Sequence, residues 1–406
     1  MTVVRLKHVA DIRVSNVDKK SIESEHPVLL CNYTDVFYND RLTASLTFMA
    51  ATATQEQRKM FSLRAGDAVL TKDSETADDI GVSALVAADI PDLVCGYHLA
   101  VVRADPGCAD GGYLRWVLAS QPARQRMTAA ATGVTRFGLR SAAIADLPVP
   151  VPALSTQRAI AAYLDRETAR IDAVIAAKQR MVQLLEEQRQ ASLSQMIRNT
   201  AAPRTRLKYV ACIQGGVTLG KAYHDDDVQS WSYLRVANVQ AGIVDLTEIA
   251  TIDLPTSVAA RHQLEVGDLL LAEGNGNPDN LGRAALWKGQ IDRCLHQNHV
   301  FALRPGSSLR SRYLEAVLAT DVARRHLREA ASQVGIASIS QEKVLNLRLP
   351  VPSLKAQDEC VRAIAEYDGQ TATVRRHLST QIGLLQERRQ ALITEVVTGE
   401  LDITVA

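Results

Sequence analysis

Three strings and two single histidines in this chain hold residue types that could do chemistry. Gly215-Gly216-Val217-Thr218-Leu219-Gly220-Lys221-Ala222 has the glycine and lysine spacing of a loop that cradles phosphate. Such a loop needs Ser or Thr at its last position to hold Mg²⁺, and Ala222 has no hydroxyl. The acids that follow, Asp225, Asp226 and Asp227, would repel phosphate, so the string reads as an ordinary glycine-rich loop. His224 with those acids could suit a metal or a nuclease centre. Adjacent acids point in different directions, however, and no carboxylate-x-Lys element follows, so a solvated turn is expected. Asn277-Pro278-Asp279 is the nearest string to the Asn-Pro-Pro-aromatic motif of amino-methyltransferases, and its third residue is wrong. His98 and His299 each precede an apolar run and lack partner ligands in sequence, which favours structural imidazoles. No catalytic, cofactor-binding or metal-binding residue is predicted.

The remaining chemistry is that of contact with a polyanion. Reading base edges takes Arg, Lys, Asn or Gln, and phosphate contact takes Lys, Arg or backbone N–H groups. The suggestive stretches are Thr135-Arg136-Phe137-Gly138-Leu139-Arg140 and Asn275-Gly276-Asn277 with Arg283 and Lys288. Gln341 and Lys343 fall near the place equivalent to Arg136–Arg140. The net charge of +1 and pI near 7.7 neither demand nor exclude nucleic acid, because local basic patches matter more than the global balance. The six cysteines include no Cys-x-x-Cys pair, so a zinc site of usual spacing is not expected. The N-terminal residues lack the apolar core of a signal peptide, and no apolar run reaches membrane-spanning length. A reducing cytoplasm is the expected location.

The elements that must position these residues occur twice. Leu6-Lys7 recurs as Leu207-Lys208, 201 positions on, and Gly66-Asp67 recurs as Gly267-Asp268. His98 recurs as His299, and the apolar runs after them end at Arg103 and Arg304. Tyr113-Leu114, Pro150 and Gln157 recur 200 positions on as Tyr313-Leu314, Pro350 and Gln357. Short apolar runs bounded by turn residues predict strands at Ala68-Val69-Leu70 and Leu99–Val102, each Gly-Asp being a turn into a strand. A short helix is expected from Tyr113. At Leu147-Pro148-Val149-Pro150-Val151-Pro152 alternate prolines forbid helix and favour an extended segment.

Residues 153–199 contain neither Gly nor Pro, and apolar residues recur every three or four positions. Ile160, Leu164, Ile171, Val174, Met181, Leu185 and the small Ser192 form the predicted stripe of a long helix, interrupted by Lys178. Ile364, Tyr367, Val374, Leu378, Ile382, Leu385 and Leu392 form the second stripe, with Gly369 as a potential kink and Gly399 at a C-cap position. Two such helices most simply pack against each other, antiparallel under a pseudo-two-fold. The fold class is mixed α/β (α+β), with domains at 1–152 and 203–352 and helical spacers at 153–202 and 353–406.

The block from Leu147 through Gln157 to Leu164-Asp165 is similar to the first conserved region of Type I restriction–modification specificity (S) subunits. The second region resembles Leu349–Gln357 together with Leu384-Leu385-Gln386-Glu387-Arg388-Arg389-Gln390-Ala391 and Val397-Thr398-Gly399-Glu400-Leu401-Asp402-Ile403. Cys360 and Gly369 depart from the family pattern, as does the Met196-Ile197-Arg198-Asn199 end of the first helix. The resemblance implies two target recognition domains, each reading half of a split DNA site, with the helices as spacer. It implies two methyltransferase (M) subunits carrying S-adenosylmethionine, and motor-nuclease (R) subunits using ATP and Mg²⁺. Residues expected to pair the helices or dock M subunits are Gln157, Leu164, Ile171, Leu185, Arg189, Gln357, Ile364, Leu378, Leu385 and Arg389.

Because the repeats differ outside this framework, two different half-sites are expected. Two other functions fit the bulk features less well. A self-sufficient DNA-modifying enzyme would show activity with S-adenosylmethionine and DNA alone. A coiled-coil scaffold would give no gel shift at any salt concentration.

Overall fold

The computed structural model describes residues 2–200, 202–220, 223, 227–275, 277, 280–332 and 337–403, with Asn275 described through its backbone. Internal contacts divide the chain into unit 1, Met1–Gln179 with Ser379–Ala406, and unit 2, Arg180–Leu378. Each unit holds one α/β head and a segment of each of two 45-residue helices, Leu154–Arg198 and Leu354–Thr398. The second helix runs without a break through Gly369, where a kink was expected.

The head of unit 1 is built on a five-stranded sheet in the order Ala10–Val14, Leu99–Ala104, Ala68–Thr71, Ser83–Val86, Arg41–Leu42. Its central strands are apolar at most buried positions because both faces are covered. Side chains alternate between faces along a strand. Ala68, Leu70, Ala100 and Val102 enter a core shared with the helix Gly111–Ala119, whereas Val69, Leu99 and Val101 enter a second core. That second core lies under a small sheet of Met49–Ala53, His26–Cys31 and Leu93–Cys95. The proline-rich step forms a strand, Pro148–Val151, paired antiparallel with Thr2–Arg5. A two-stranded ladder tolerates these prolines because few backbone N–H groups need partners.

Unit 2 repeats the plan with one strand fewer. Its main sheet runs Ala211–Gly215, Val300–Pro305, Leu269–Ala272, Ala284–Leu286. Leu269, Leu271, Phe301 and Leu303 face one core, and Leu270, Val300 and Ala302 face another. Arg348–Pro350 pairs with Arg204–Arg206, as its counterpart does in unit 1.

Both Gly-Asp pairs are turns into strands, with Gly66 at φ +87° and Gly267 at φ +100°. Their acids do more than turn the chain. Asp67 takes two hydrogen bonds from Arg103 at 2.7 and 2.6 Å, and Asp268 takes two from Arg304 at 2.8 Å each. Asp67 and Asp268 are almost fully buried, so the bidentate arginine is the partner that makes a buried carboxylate tolerable.

The helix stripes follow the predicted ones at Ile160, Leu164, Ile171, Leu185, Ile364, Tyr367, Leu378, Ile382 and Leu385, and shift by one position at Val174, Met181 and Val374. Val174, Met181 and Val374 are about half exposed, while Ile175 is buried and Val182 and Arg375 are partly buried. The covered positions follow a seven-residue repeat, 164-168-171-175-178-182-185 and 364-368-371-375-378-382-385. A strict heptad drifts against the 3.6-residue turn, and neighbouring apolar residues make either register look plausible in sequence. Several seam positions are polar. In unit 1, Lys178 donates to Gln381 at 2.7 Å and Arg389 lies 2.9 Å from Asp172. In unit 2, Arg189 grips Asp368 at 2.7 and 3.0 Å and Arg375 lies 3.6 Å from Glu186. Within each unit one number rises as the other falls, so the paired segments are antiparallel.

Candidate nucleic-acid interface

Each head presents one loop closed by a short ladder. In unit 1 the strand Phe137–Gly138 pairs with Asp73–Ser74, and Thr132 and Gly138 exchange backbone hydrogen bonds at 3.1 and 2.9 Å. The Leu139 N–H donates to the Lys72 carbonyl at 2.8 Å, and the Leu139 side chain is buried. These bonds hold the loop carrying Arg136, and both Arg136 and Arg140 are exposed. Exposed arginines on a pinned loop are able to meet phosphates or guanine edges.

Behind this loop stands a cluster absent from the sequence reading. Asp73 accepts from Lys72, and its carboxylate lies 3.2 Å from His98 Nδ1. Burial holds the His98 pKa below its ordinary value, opposed by the Asp73 hydrogen bond and helped by the Arg136 charge. His98 is therefore a mostly buried imidazole tied to the loop's partner strand. The signal that could have found the site is the repeat itself, since His98 and His299 keep one offset.

Unit 2 has an equivalent ladder with different charges beside it, and residues 333–336 within it lie outside the described residues. Gly274–Asn275 pairs with Ala337–Ser338, and Ser332 and Ser338 exchange backbone hydrogen bonds. Asn275 therefore stands in the ladder itself. Glu273 replaces Lys72 by position, and its carboxylate lies 2.6 Å from His299 Nδ1. Gln341 and Lys343 are exposed on the short helix Gln341–Leu345, which Ser340 caps. Asn277 is exposed beyond the ladder. Arg283 stands elsewhere, just before the edge strand Ala284–Leu286. It is half-buried and donates to Gln240 at 2.7 Å and to Asn280. Lys288 is exposed beyond the other end of that strand. The structure thus brings Asn275, Gln341 and Lys343 to the neighbourhood of one ladder and sets Arg283 and Lys288 around another strand.

The glycine-rich string of unit 2 opens the same way as any strand end. Gly215 ends a strand, and the Val217 N–H is committed to the His296 carbonyl at 2.7 Å. A side chain on Gly216 would sit 2.2 Å from the Gln297 carbonyl oxygen, so this glycine serves a close backbone approach. Lys221, Ala222 and His224-Asp225-Asp226 lie outside the described residues, as do Gly276, Pro278 and Asp279. Among the described residues, no cluster of three or more His, Cys, Asp or Glu side chains could hold a metal ion. Among them also, no helix is long and apolar enough to cross a membrane.

The residues proposed for helix pairing divide into two kinds. Gln157 and Gln357 are fully buried bolts at the helix starts. Gln157 Oε1 accepts from the Asp110 N–H at 2.9 Å, and its Nε2 donates to the carbonyls of Cys108 and Pro152, both at 2.9 Å. Gln357 repeats this with the Arg310 N–H at 2.8 Å and the carbonyls of Ser308 and Pro352 at 2.9 and 2.8 Å. Leu164 is buried in the core of unit 1, and Ile364 packs on the core of unit 2. Leu378 is buried, whereas Ile171, Leu185 and Leu385 are half-buried. Arg189 and Arg389 each pair with the other long helix inside their own units. Arg389 also bonds Asp40, which in turn holds the buried Arg115 guanidinium against Trp116.

Each unit thus joins one α/β head to an antiparallel pair of helix segments. No protein-family model matches the chain. It is 22% identical over 380 residues to the Type I restriction enzyme EcoKI specificity subunit of Escherichia coli K12, covering 88% of this chain and 79% of that one. It is 23% identical over 290 residues to the StySPI specificity subunit of Salmonella potsdam, covering 68% and 63%. Its fold matches, at a TM-score of 0.70 and 17% identity over 98% of both chains, one solved in a study of type I R-M system assembly and conformational transition. The chain is a homologue of Type I restriction enzyme specificity subunits, as the duplicated proline steps and glutamine-arginine boxes led one to expect.

Proposed function

We propose that this chain is the DNA sequence-specificity subunit of a Type I restriction–modification complex. Each head reads one half of a split, asymmetric site, and the long helices set the spacing. The observation that carries this is the duplication of one arrangement: a short ladder on a head clasped by two helix segments, described in both units with different side chains around it. Different side chains on one frame suit two different half-sites. Arg136 and Arg140 are proposed as contacts of the first half-site, and Asn275, Asn277, Arg283, Lys288, Gln341 and Lys343 as candidates in the second.

The chain carries no catalysis of its own in this proposal. Two methyltransferase subunits dock on the helices and bring S-adenosylmethionine, and motor-nuclease subunits bring ATP and Mg²⁺. The exposed Arg388 and the neighbouring outer faces of the helices suit such docking. The complex works in the cytoplasm. With a net charge of only +1, the chain alone binds DNA weakly and the partners supply much of the clamp.

The test is the site recognised by the assembled complex, read as the methylated motif. Inserting seven residues into both long helices keeps the heptad register and lengthens each by about 10 Å. That is about three base-pair steps of 3.4 Å. The two half-sites should keep their sequences and move apart. A folded insertion variant with an unchanged spacer overturns the spacer role, and a palindromic motif overturns the two-headed reading.

A further inference from the structure

The loop that carries Arg136 also carries an apolar side chain with nothing to cover it. Val134 is 97% exposed. A mobile tail can expose an apolar residue by chance, but this loop is built tightly. Thr132 and Gly138 close it with two reciprocal backbone bonds, and the partner strand holds it through Phe137 and Gly138. Gly133 has φ +145°, and a side chain there would collide with the Arg136 carbonyl oxygen at 1.9 Å. The backbone thus turns so sharply that only glycine fits, and the turn thrusts Val134 outward.

The residues that follow are Thr135 and Arg136, both exposed, so the tip offers the two valine methyl groups beside the methyl and hydroxyl of Thr135 and the Arg136 cation. The sequence repeats the choice: Val334 stands 200 positions on, although it lies outside the described residues. The major groove, about 12 Å wide, admits a narrow loop, and the one apolar feature it shows on a base edge is the 5-methyl of thymine. A single branched side chain matches a single methyl group, whereas a protein partner would call for a broader apolar patch.

We propose that Val134 is a specificity contact that packs on the 5-methyl group of a thymine in the half-site read by unit 1. This rests on the DNA-reading function proposed above. The reading of Arg136 and Arg140 as contacts acquires a neighbour that distinguishes thymine by shape.

The experiment uses the full-length chain assembled with its modification subunit. Selection from a randomised duplex pool first returns the recognised site. Each thymine of the site is then replaced by uracil, which removes only the methyl group, and the binding constants are compared. For one thymine the wild-type complex should bind the uracil duplex about fourfold more weakly, the effect of exposing one methyl-sized group. Val134→Ala should bind both duplexes equally, and Val134→Ile should restore the preference. The proposal is overturned if the site contains no thymine, or if every thymine-to-uracil penalty is the same in wild type and Val134→Ala. It is also overturned if Val134→Ala keeps the preference and instead releases the modification subunit, which would make the tip a protein contact. A pool that returns no preferred sequence at all is a different failure, one that removes the DNA-reading function itself.

Discussion

Unit 1 and unit 2 share a backbone plan but fasten head to helices by different chemistry. In unit 1 the helix Gly111–Ala119 carries Arg115, almost fully buried, and Trp116. Arg115 bonds Asp40, Asp40 bonds Arg389, Arg389 bonds Asp172, and Trp116 Nε1 donates to Asp165 at 3.1 Å. In unit 2 the same positions are Glu315 and Ala316, and no such chain forms among the described residues. Glu315 instead accepts the Leu286 N–H at 3.1 Å. That amide belongs to the sheet's edge strand. Its counterpart in unit 1, the Leu85 N–H, bonds the Asp40 carbonyl at 3.0 Å beside the added strand Arg41–Leu42. One side-chain carboxylate therefore stands in for a missing strand. The difference teaches that the repeat preserves hydrogen-bond needs and not the residues that meet them.

The features common to both units give the largest expected effects. Gln157→Ala and Gln357→Ala each remove a buried amide that bonds one backbone N–H and two carbonyls, and each should cost about 3 kcal/mol of stability. Chemical denaturation should return nearly equal losses, and a clear inequality would show that the two helix starts are not equivalent bolts. Next comes the buried histidine of unit 2. His296 occupies the place of Cys95, and burial pushes its pKa down to about 4, with Nδ1 2.6 Å from the Val300 carbonyl oxygen. Unfolding lets it protonate near pH 6.5. Its contribution is thus complete above pH 6.5 and is lost as pH falls toward 4, by about 3 kcal/mol in all. His296→Cys should flatten this part of the stability profile, and an unchanged slope would assign it to other groups.

The unit 1 network is the next comparison. Asp40→Ala leaves the buried Arg115 without its carboxylate and should cost about 2 kcal/mol, less than a fully buried pair because Asp40 is half exposed. Unit 2 has no counterpart to lose, so its unfolding should be unaffected. The smallest effect is at Glu315. Burial raises its pKa, so its contribution is present at low pH and declines as pH rises through the folded value. Glu315→Gln keeps an acceptor for the Leu286 N–H and should change stability at neutral pH by about 0.5 kcal/mol or less. A loss much larger than that would mean the charge itself is needed.

Much of the frame was legible in the chain because it was written twice. The proline steps, the Gly-Asp turns and the two glutamines recur at offsets of 200 or 201, and each proved to be a backbone-fixing device. The helix seams were legible only to within one residue, since Val174 and Ile175 are both apolar and only packing separates them. The candidate interface was harder to read. Arg136 and Arg283 look alike in sequence, yet one is exposed and the other is held by Gln240 and Asn280. The Asp40–Arg389 bond joins residues 349 positions apart, and nothing local in either segment announces it. Glu315 could not be read at all, because its role depends on a strand that is missing.

The pairing of Thr2–Arg5 with Pro148–Val151, and of Arg204–Arg206 with Arg348–Pro350, leaves each head with its entry and exit side by side. The unit 2 head, joined to one long helix through Arg204–Arg206 and to the other through Arg348–Pro350, is bounded as a cassette. Recombination at those junctions would exchange everything between them while the bolts on the helix side stay in place.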